Sequence, residues 1–379
     1  MLKICIWMNI PSHHQKYFFE ALNENSKVSL LIRYYDKILL EHRKQQSWVI
    51  PPLDTYEKYI SSFDEILSEE LREYIHIIPT FDNNYGKQLV ELTIKNNLKW
   101  CHWGEMTGKG FIKKVKYNLK IFNLLYPIIN KIRLKKYANY IKNNSLFAFA
   151  QGELAKKDLL NLGIPNNKIK FLSYSVLKIE NLQRNQIINN FKKNRICFLC
   201  VANLIERKGT KYLIGAYDML TIEQKEKACI VLVGKGEKEQ ELKEYVKNKN
   251  LEDNILFYGP VNSNEINTVY SSADIFVLPT LFDGWGVVLN EAASCGLPII
   301  STINCGAAYH LIEENKNGFR VQTKDAKALS KTMSYYIDNP TMIKEHGEKS
   351  KQIFERFTPQ KSAERLVEYL KQYDEDNNK

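Results

Sequence analysis

The chain has 379 residues, 54 Lys+Arg against 43 Asp+Glu, and a formal net charge of +11. Hydrophobic residues make up 44%, which excludes a disordered or collagen-like chain. The sequence holds no run of about 18 apolar residues to mark a transmembrane helix, and at roughly 150 residues per domain its length predicts two domains.

The opening Met1-Leu-Lys-Ile-Cys-Ile-Trp-Met stops being apolar at Asn9. It is too short for a signal-peptide core and predicts a buried strand over 3–8, so a cytoplasmic location is expected. A helix over 14–22 follows, then strands over 28–34, 76–78, 98–102, 146–150 and 169–172, with helices over 86–96 and 153–162 among them. Residues 175–194 are polar and rich in Asn and Gln, and 179–194 read as a linker. The second half restarts at 196–201, an all-apolar run suited to the centre of a parallel sheet. Strands over 229–233, 255–258, 275–278 and 298–301 come next, separated by helical patterns. A last helix over 359–373 runs into an acidic, Asn-rich tail expected to fray. This alternation predicts an α/β protein of two doubly wound, Rossmann-like domains, 1–178 and 195–357, with 358–379 expected to pack back on the first. Two such domains in tandem set the carboxyl ends of two parallel sheets around a cleft, where ligands bind.

The seven cysteines sit mostly in apolar runs and read as small buried hydrophobes. Cys197 and Cys200 lie on a predicted strand, which sends positions three apart to opposite faces, so no redox or metal role is assigned to them. The charge is concentrated: residues 99–144 carry eleven Lys and Arg against Glu105 alone. Phe111, Ile112, Val115, Leu119 and Phe122 recur there at helical spacing, which predicts a basic amphipathic helix facing an anionic membrane surface. The alternative is a solvated helix packing its apolar stripe on its own domain. No nucleic-acid motif accompanies the patch, and no nucleic acid is expected as a partner.

The chemistry concentrates at Leu281-Phe-Asp283-Gly284-Trp285-Gly286-Val-Val-Leu-Asn290-Glu291, closed by Gly296-Leu-Pro298. A strand ends at Leu278, a loop carries Asp283 and two glycines, and a helix opens near Val287. Gly284 and Gly286 allow close backbone approach to a ligand. Carboxylates eight residues apart at a sheet rim suit a polyhydroxylated ligand, because each accepts hydrogen bonds from paired hydroxyls.

These residues resemble the retaining glycosyltransferases of family 4, which have the GT-B fold. That family is marked by an acidic residue, a Gly-aromatic-Gly turn, a Glu eight positions on, and Gly-x-Pro. The resemblance implies that Glu291 holds the ribose hydroxyls of a nucleotide. It also implies that Asp283, Gly284, Trp285 and Gly286 face the donor sugar and its pyrophosphate. A second landmark, Asn203-Leu-Ile-Glu-Arg207-Lys208-Gly209, implies a pyrophosphate-binding Lys208. A diphosphate leaving group gains charge in the transition state, and a fixed cation lowers that barrier. Arg207 either contributes or is solvated, and Asn203 stands where the family often has Arg. Gly234 and Gly236, with Tyr258 at the next strand end, would flank the base. Asp283 and Lys208 are the catalytic candidates.

The N-terminal half matches less sharply. Asn9-Ile-Pro-Ser12-His13-His14 replaces the family's Gly-Gly loop. Ser12, His13 and His14 are candidates for acceptor binding, with helix capping by Ser12 as the alternative. His102 or Glu105 is a candidate to orient the acceptor hydroxyl, with a structural histidine as the alternative. The resemblance implies retaining, hexosyltransferase-type transfer from a UDP- or GDP-sugar to a glycan or lipid-linked glycan. Front-face substitution is expected, in which the leaving phosphate takes the acceptor proton. Asp374-Glu-Asp376 lies in the tail, so no metal cofactor is expected. Assembly of bacterial capsule, O-antigen or lipopolysaccharide at the inner membrane face is the expected setting. A catalytically weak sugar-nucleotide-binding subunit, or a sugar-nucleotide epimerase of the same fold, are the alternatives.

Overall fold

The computed structural model describes residues 1–36, 50–79, 84–105, 132, 134–179, 183–262 and 265–377. Two compact units divide them. The first joins the described residues up to Ser175 with those from Pro359 onward, and the second runs from Val176 to Thr358.

The first unit is built on a seven-stranded parallel sheet, ordered β3-β2-β1-β4-β5-β6-β7. Its strands are β1 (Leu2–Met8), β2 (Val28–Tyr34), β3 (Glu57–Tyr59), β4 (Ile75–Pro79), β5 (Trp100–Gly104), β6 (Ala148–Ala150) and β7 (Ile169–Phe171). Both faces of β1 are covered, so it reads as an unbroken apolar run: Ile4 and Ile6 enter one core, Cys5 and Trp7 the other. The helix Pro359–Asn377 closes the first of these cores. Proline at its first position suits the helical φ and forfeits an N–H that would be unpaired there. Ala363, Leu366, Val367 and Leu370, at helical spacing, bury against Ile4, Phe18 and Leu22. The helix runs on to Asn377, through the acidic tail expected to fray.

The second unit has a six-stranded parallel sheet, ordered β10-β9-β8-β11-β12-β13. Its strands are β8 (Ile196–Val201), β9 (Ala228–Val233), β10 (Ile255–Gly259), β11 (Ile275–Leu278), β12 (Ile299–Thr302) and β13 (Gly318–Val321). The order reverses between β8 and β11, which pair at Ile275 with Phe198 and Phe276 with Leu199. Such a reversal of strand order, at the carboxyl edge, is where ligands of doubly wound sheets bind.

The stretch read as a linker belongs to this unit and holds a helix, Gln186–Lys192. Asn185 caps it by accepting from the Ile188 N–H, and Ile188 is fully buried. One anchored apolar side chain and a cap are enough here, although the segment shows no extended apolar pattern. All seven cysteines are free and buried.

Most of the basic segment, 106–131 and residue 133, lies outside the described residues, including the amphipathic pattern over 111–122. Its far end, 134–144, is helical. There Tyr137, Ala138 and Ile141 are buried in the first unit's second core, so this part spends its apolar face on its own domain.

Candidate active site

The site forms at the β8/β11 switch point from two loops. After β8 the chain makes a 3-10 turn, Glu206–Lys208, and Gly209 then takes φ 68°. A Cβ on Gly209 would lie 2.1 Å from the Pro279 carbonyl oxygen, so only glycine lets this loop meet the one after β11. The two are stitched by hydrogen bonds: the Leu281 N–H and the Thr280 hydroxyl donate to the Arg207 carbonyl at 2.8 and 3.1 Å. The Arg207 guanidinium donates to the Phe282 carbonyl at 2.7 Å.

This framework delivers Lys208 to Asp283, Nζ to Oδ2, at 2.5 Å. Both side chains are largely buried, with 13% and 15% exposure. Arg207 stands 3.8 Å from the same carboxylate oxygen and is more exposed. A partly desolvated carboxylate with two cations is a pre-set polar centre, held in place before any ligand arrives. The Asp283 N–H donates to the Asn304 carbonyl and its carbonyl accepts from Gly306, which fixes the loop against the end of β12.

The Gly-aromatic-Gly turn follows. Gly286 has φ 92°, and a Cβ there would sit 2.6 Å from Cys305 Sγ. Trp285 is turned into the core. It is 1% exposed, its indole donates to Asn290 Oδ1 at 2.8 Å, and its ring lies 5.6 Å from that of His310. The tryptophan therefore anchors the turn in the core, because its bulk is stable only where its N–H finds a partner. Gly284, between Asp283 and Trp285, is buried, and its carbonyl lies against Gly306.

Glu291 lies in the first turn of the helix Val288–Ser294. It accepts a hydrogen bond from the Tyr270 hydroxyl at 2.6 Å. Burial outweighs that bond and pushes its carboxyl up to about 7. Tyr270, on the helix Ile266–Ser271, is fully buried and lies 21 residues away, with nothing in its immediate sequence to announce the contact.

Gly234 and Gly236 serve packing. Cβ atoms on them would approach the Ala202 and Leu204 carbonyl oxygens at 2.1 and 2.4 Å. Their missing side chains let the β9 and β8 loops touch, with Asn203 half-buried between those two carbonyls in sequence. Tyr258 is half-buried, and its hydroxyl accepts from the Asn185 side chain at 2.9 Å, tying the helix Gln186–Lys192 to β10.

In the first unit, Ser12 occupies the N-cap position of the helix His13–Asn23 with no side-chain cap bond, and His13 and His14 are half-buried in its first turn. His102 is 1% exposed inside β5, where burial lowers its imidazole to about 4. A neutral imidazole sealed in a sheet does not reach a dissolved acceptor, so the structural alternative holds for His102. Glu105, just past the strand, is exposed.

Residues 182–353 match the family model for glycosyl transferases group 1. The chain is 31% identical over 197 residues to the amylovoran biosynthesis glycosyltransferase AmsK of Erwinia amylovora, covering 48% of this chain and 47% of that one. It is 24% identical over 257 residues to an N-acetylgalactosamine-N,N'-diacetylbacillosaminyl-diphospho-undecaprenol 4-alpha-N-acetylgalactosaminyltransferase of Campylobacter jejuni, covering 68% and 66%. The chain spans about a third to a half of the length of the first curated relatives it matches. Among solved structures, Anabaena HepE in complex with UDP superposes with a TM-score of 0.73 at 15% identity, over 98% of this chain and 100% of that one. The fold is GT-B. Among the described residues no helix is long and apolar enough to cross a membrane.

Proposed function

We propose that this chain transfers a sugar, with retention of configuration, from a UDP- or GDP-sugar to a glycan or lipid-linked glycan. The observation that carries the reading is the Lys208–Asp283 ion pair astride the β8/β11 switch point. The match of residues 182–353 supports the reaction class, and the Campylobacter relative's diphospho-undecaprenol substrate supports a lipid-linked acceptor.

In this reading the donor's diphosphate draws Lys208 toward itself, and Arg207 adds a second positive charge. Departure of the nucleotide concentrates negative charge on the leaving oxygen, and Lys208 stabilises it in a site already shielded from water. Asp283 holds the lysine in register and accepts from donor hydroxyls. Glu291 accepts from the ribose diol. The leaving phosphate takes the acceptor proton, so attack occurs on the face from which the nucleotide departs. Lys208 and Arg207 supply the counter-charge, and no metal cofactor is needed. Assembly of bacterial surface polysaccharide at the cytoplasmic membrane face is the setting, with the basic segment 99–144 supplying attachment to anionic lipid.

The test is incubation with labelled UDP- and GDP-sugars and a lipid-linked acceptor. Lys208→Ala is expected to lower kcat by about 100- to 1,000-fold, the range for loss of one transition-state charge partner. Unchanged turnover removes the site assignment, and binding without transfer marks a sugar-nucleotide-binding subunit instead. Failure to bind anionic liposomes at low salt removes the lipid part alone.

A further inference from the structure

Tyr270 plays no part in the transfer as derived above, yet it is the residue that touches the Glu291 carboxylate. Its ring is fixed from two sides: it is fully buried on the helix Ile266–Ser271, and it packs 5.7 Å from Phe276 of β11, the strand that leads to Asp283. Its hydroxyl donates to Glu291 Oε2. Among the described residues no other hydrogen bond reaches that carboxylate and no Lys or Arg pairs with it. One oxygen is thus held and the other is left to a ligand. We propose that Tyr270 is a positioning residue for the donor: its phenol fixes one oxygen of Glu291 so that the other meets the hydroxyl pair of the nucleotide's ribose. This rests on the reading of Glu291 as a donor-binding residue.

The bond has a second effect. A hydroxyl donating to a carboxylate favours the charged form, which accepts from both ribose hydroxyls, and burial opposes it. The other titratable groups facing this pair are the Cys295 thiol on the same helix, the Cys200 thiol of β8 beyond the phenol, and Lys351, which acts on Cys295 from the helix Thr341–Phe354. Burial pushes both thiols up to about 12, and Tyr270 well above its ordinary value. Glu291 is therefore the member of this group that changes charge near neutrality.

The experiment measures UDP and GDP affinity between pH 6 and 9 for the wild-type chain, Tyr270→Phe and Glu291→Gln, using whichever nucleotide the wild type binds. Wild-type affinity is expected to weaken as pH falls through about 7. In Tyr270→Phe the carboxyl loses its donor, its pKa rises, and the weakening moves to higher pH. At pH 7 the Kd rises roughly fivefold through the shifted titration, and a smaller loss remains at pH 9, where the carboxylate is charged but no longer held. In Glu291→Gln only the titration of the nucleotide's own terminal phosphate, at about 6, remains, and affinity is weakened throughout. Tyr270→Phe with its acid limb unmoved, while Glu291→Gln abolishes that limb, overturns the positioning role and leaves the donor reading intact. Affinity that returns fully to the wild-type value at pH 9 shows that the phenol tunes the charge without fixing the carboxylate, and also overturns the positioning role. If Glu291→Gln binds like wild type, or if neither nucleotide binds, the donor reading fails and the inference with it.

Discussion

Glu291→Gln keeps the side chain's size and its ability to accept from Tyr270, and removes a charge that burial opposes. The carboxyl stands at about 7 in the folded chain against 4.5 as its ordinary value. Each tenfold change in proton affinity is worth about 1.4 kcal/mol, so ionising Glu291 in place costs about 3 kcal/mol at high pH. The sign follows from proton counts. Between those two values the folded state holds the proton more tightly than the unfolded one. Stability is therefore fully present below 4.5 and is lost as pH rises through about 7. About 2 to 3 kcal/mol of the loss falls between pH 5 and pH 8. Urea denaturation of both proteins at these two pH values reads the difference directly. The variant is expected to gain on the wild type by that amount on going to pH 8. Parallel pH dependence in the two proteins would refute the claim that Glu291 is held against its own ionisation.

Other substitutions probe the frame and the mechanism. Gly286→Ala forces a Cβ onto Cys305 Sγ at φ 92° and is expected to cost about 2 kcal/mol or more, visible as a lowered Tm; an unchanged Tm would contradict the geometry of the turn. Leu366→Ala hollows the first unit's core and should destabilise that unit by about 2–5 kcal/mol. Urea unfolding followed by a probe in each unit should show the transition of the second unit unmoved. Transfer activity is expected to survive EDTA, and loss that magnesium restores would show that Lys208 and Arg207 do not suffice.

Interior strands were legible because burial on both faces imposes continuous apolar runs, as in β1, β8 and β9. Two of the four edge strands were not, although β7 and β10 read clearly at 169–172 and 255–258. β3 is Glu-Lys-Tyr and β13 is Gly-Phe-Arg-Val, too short and too polar to stand out from loop. In the site, Asp283 and Glu291 stood out as carboxylates eight residues apart around the loop that follows an apolar strand, while Lys208 was named only through the family resemblance. The direction of a side chain is harder to read. Trp285 and His102 were themselves read as ligand-facing candidates, but tertiary packing turns both inward. Gly234 and Gly236 show why a Gly-x-Gly is ambiguous: backbone crowding and ligand approach both demand the missing Cβ. Tyr270 left no mark, since its partner is chosen by two helices packing against one sheet.

The chain passes from the first unit to the second at Ser175 and back at Thr358. During synthesis, then, the second unit has all its residues outside the ribosome before the first does. Strands β1 to β7 emerge early, yet the face that Phe18 and Leu22 share with Ile4 is not closed until Leu366 and Leu370 arrive nearly 200 residues after β7. The nascent first unit must wait with an apolar face open while its neighbour folds. That makes it the half in which arrested translation, or the loss of the last helix, leaves a chain prone to chaperone capture and aggregation.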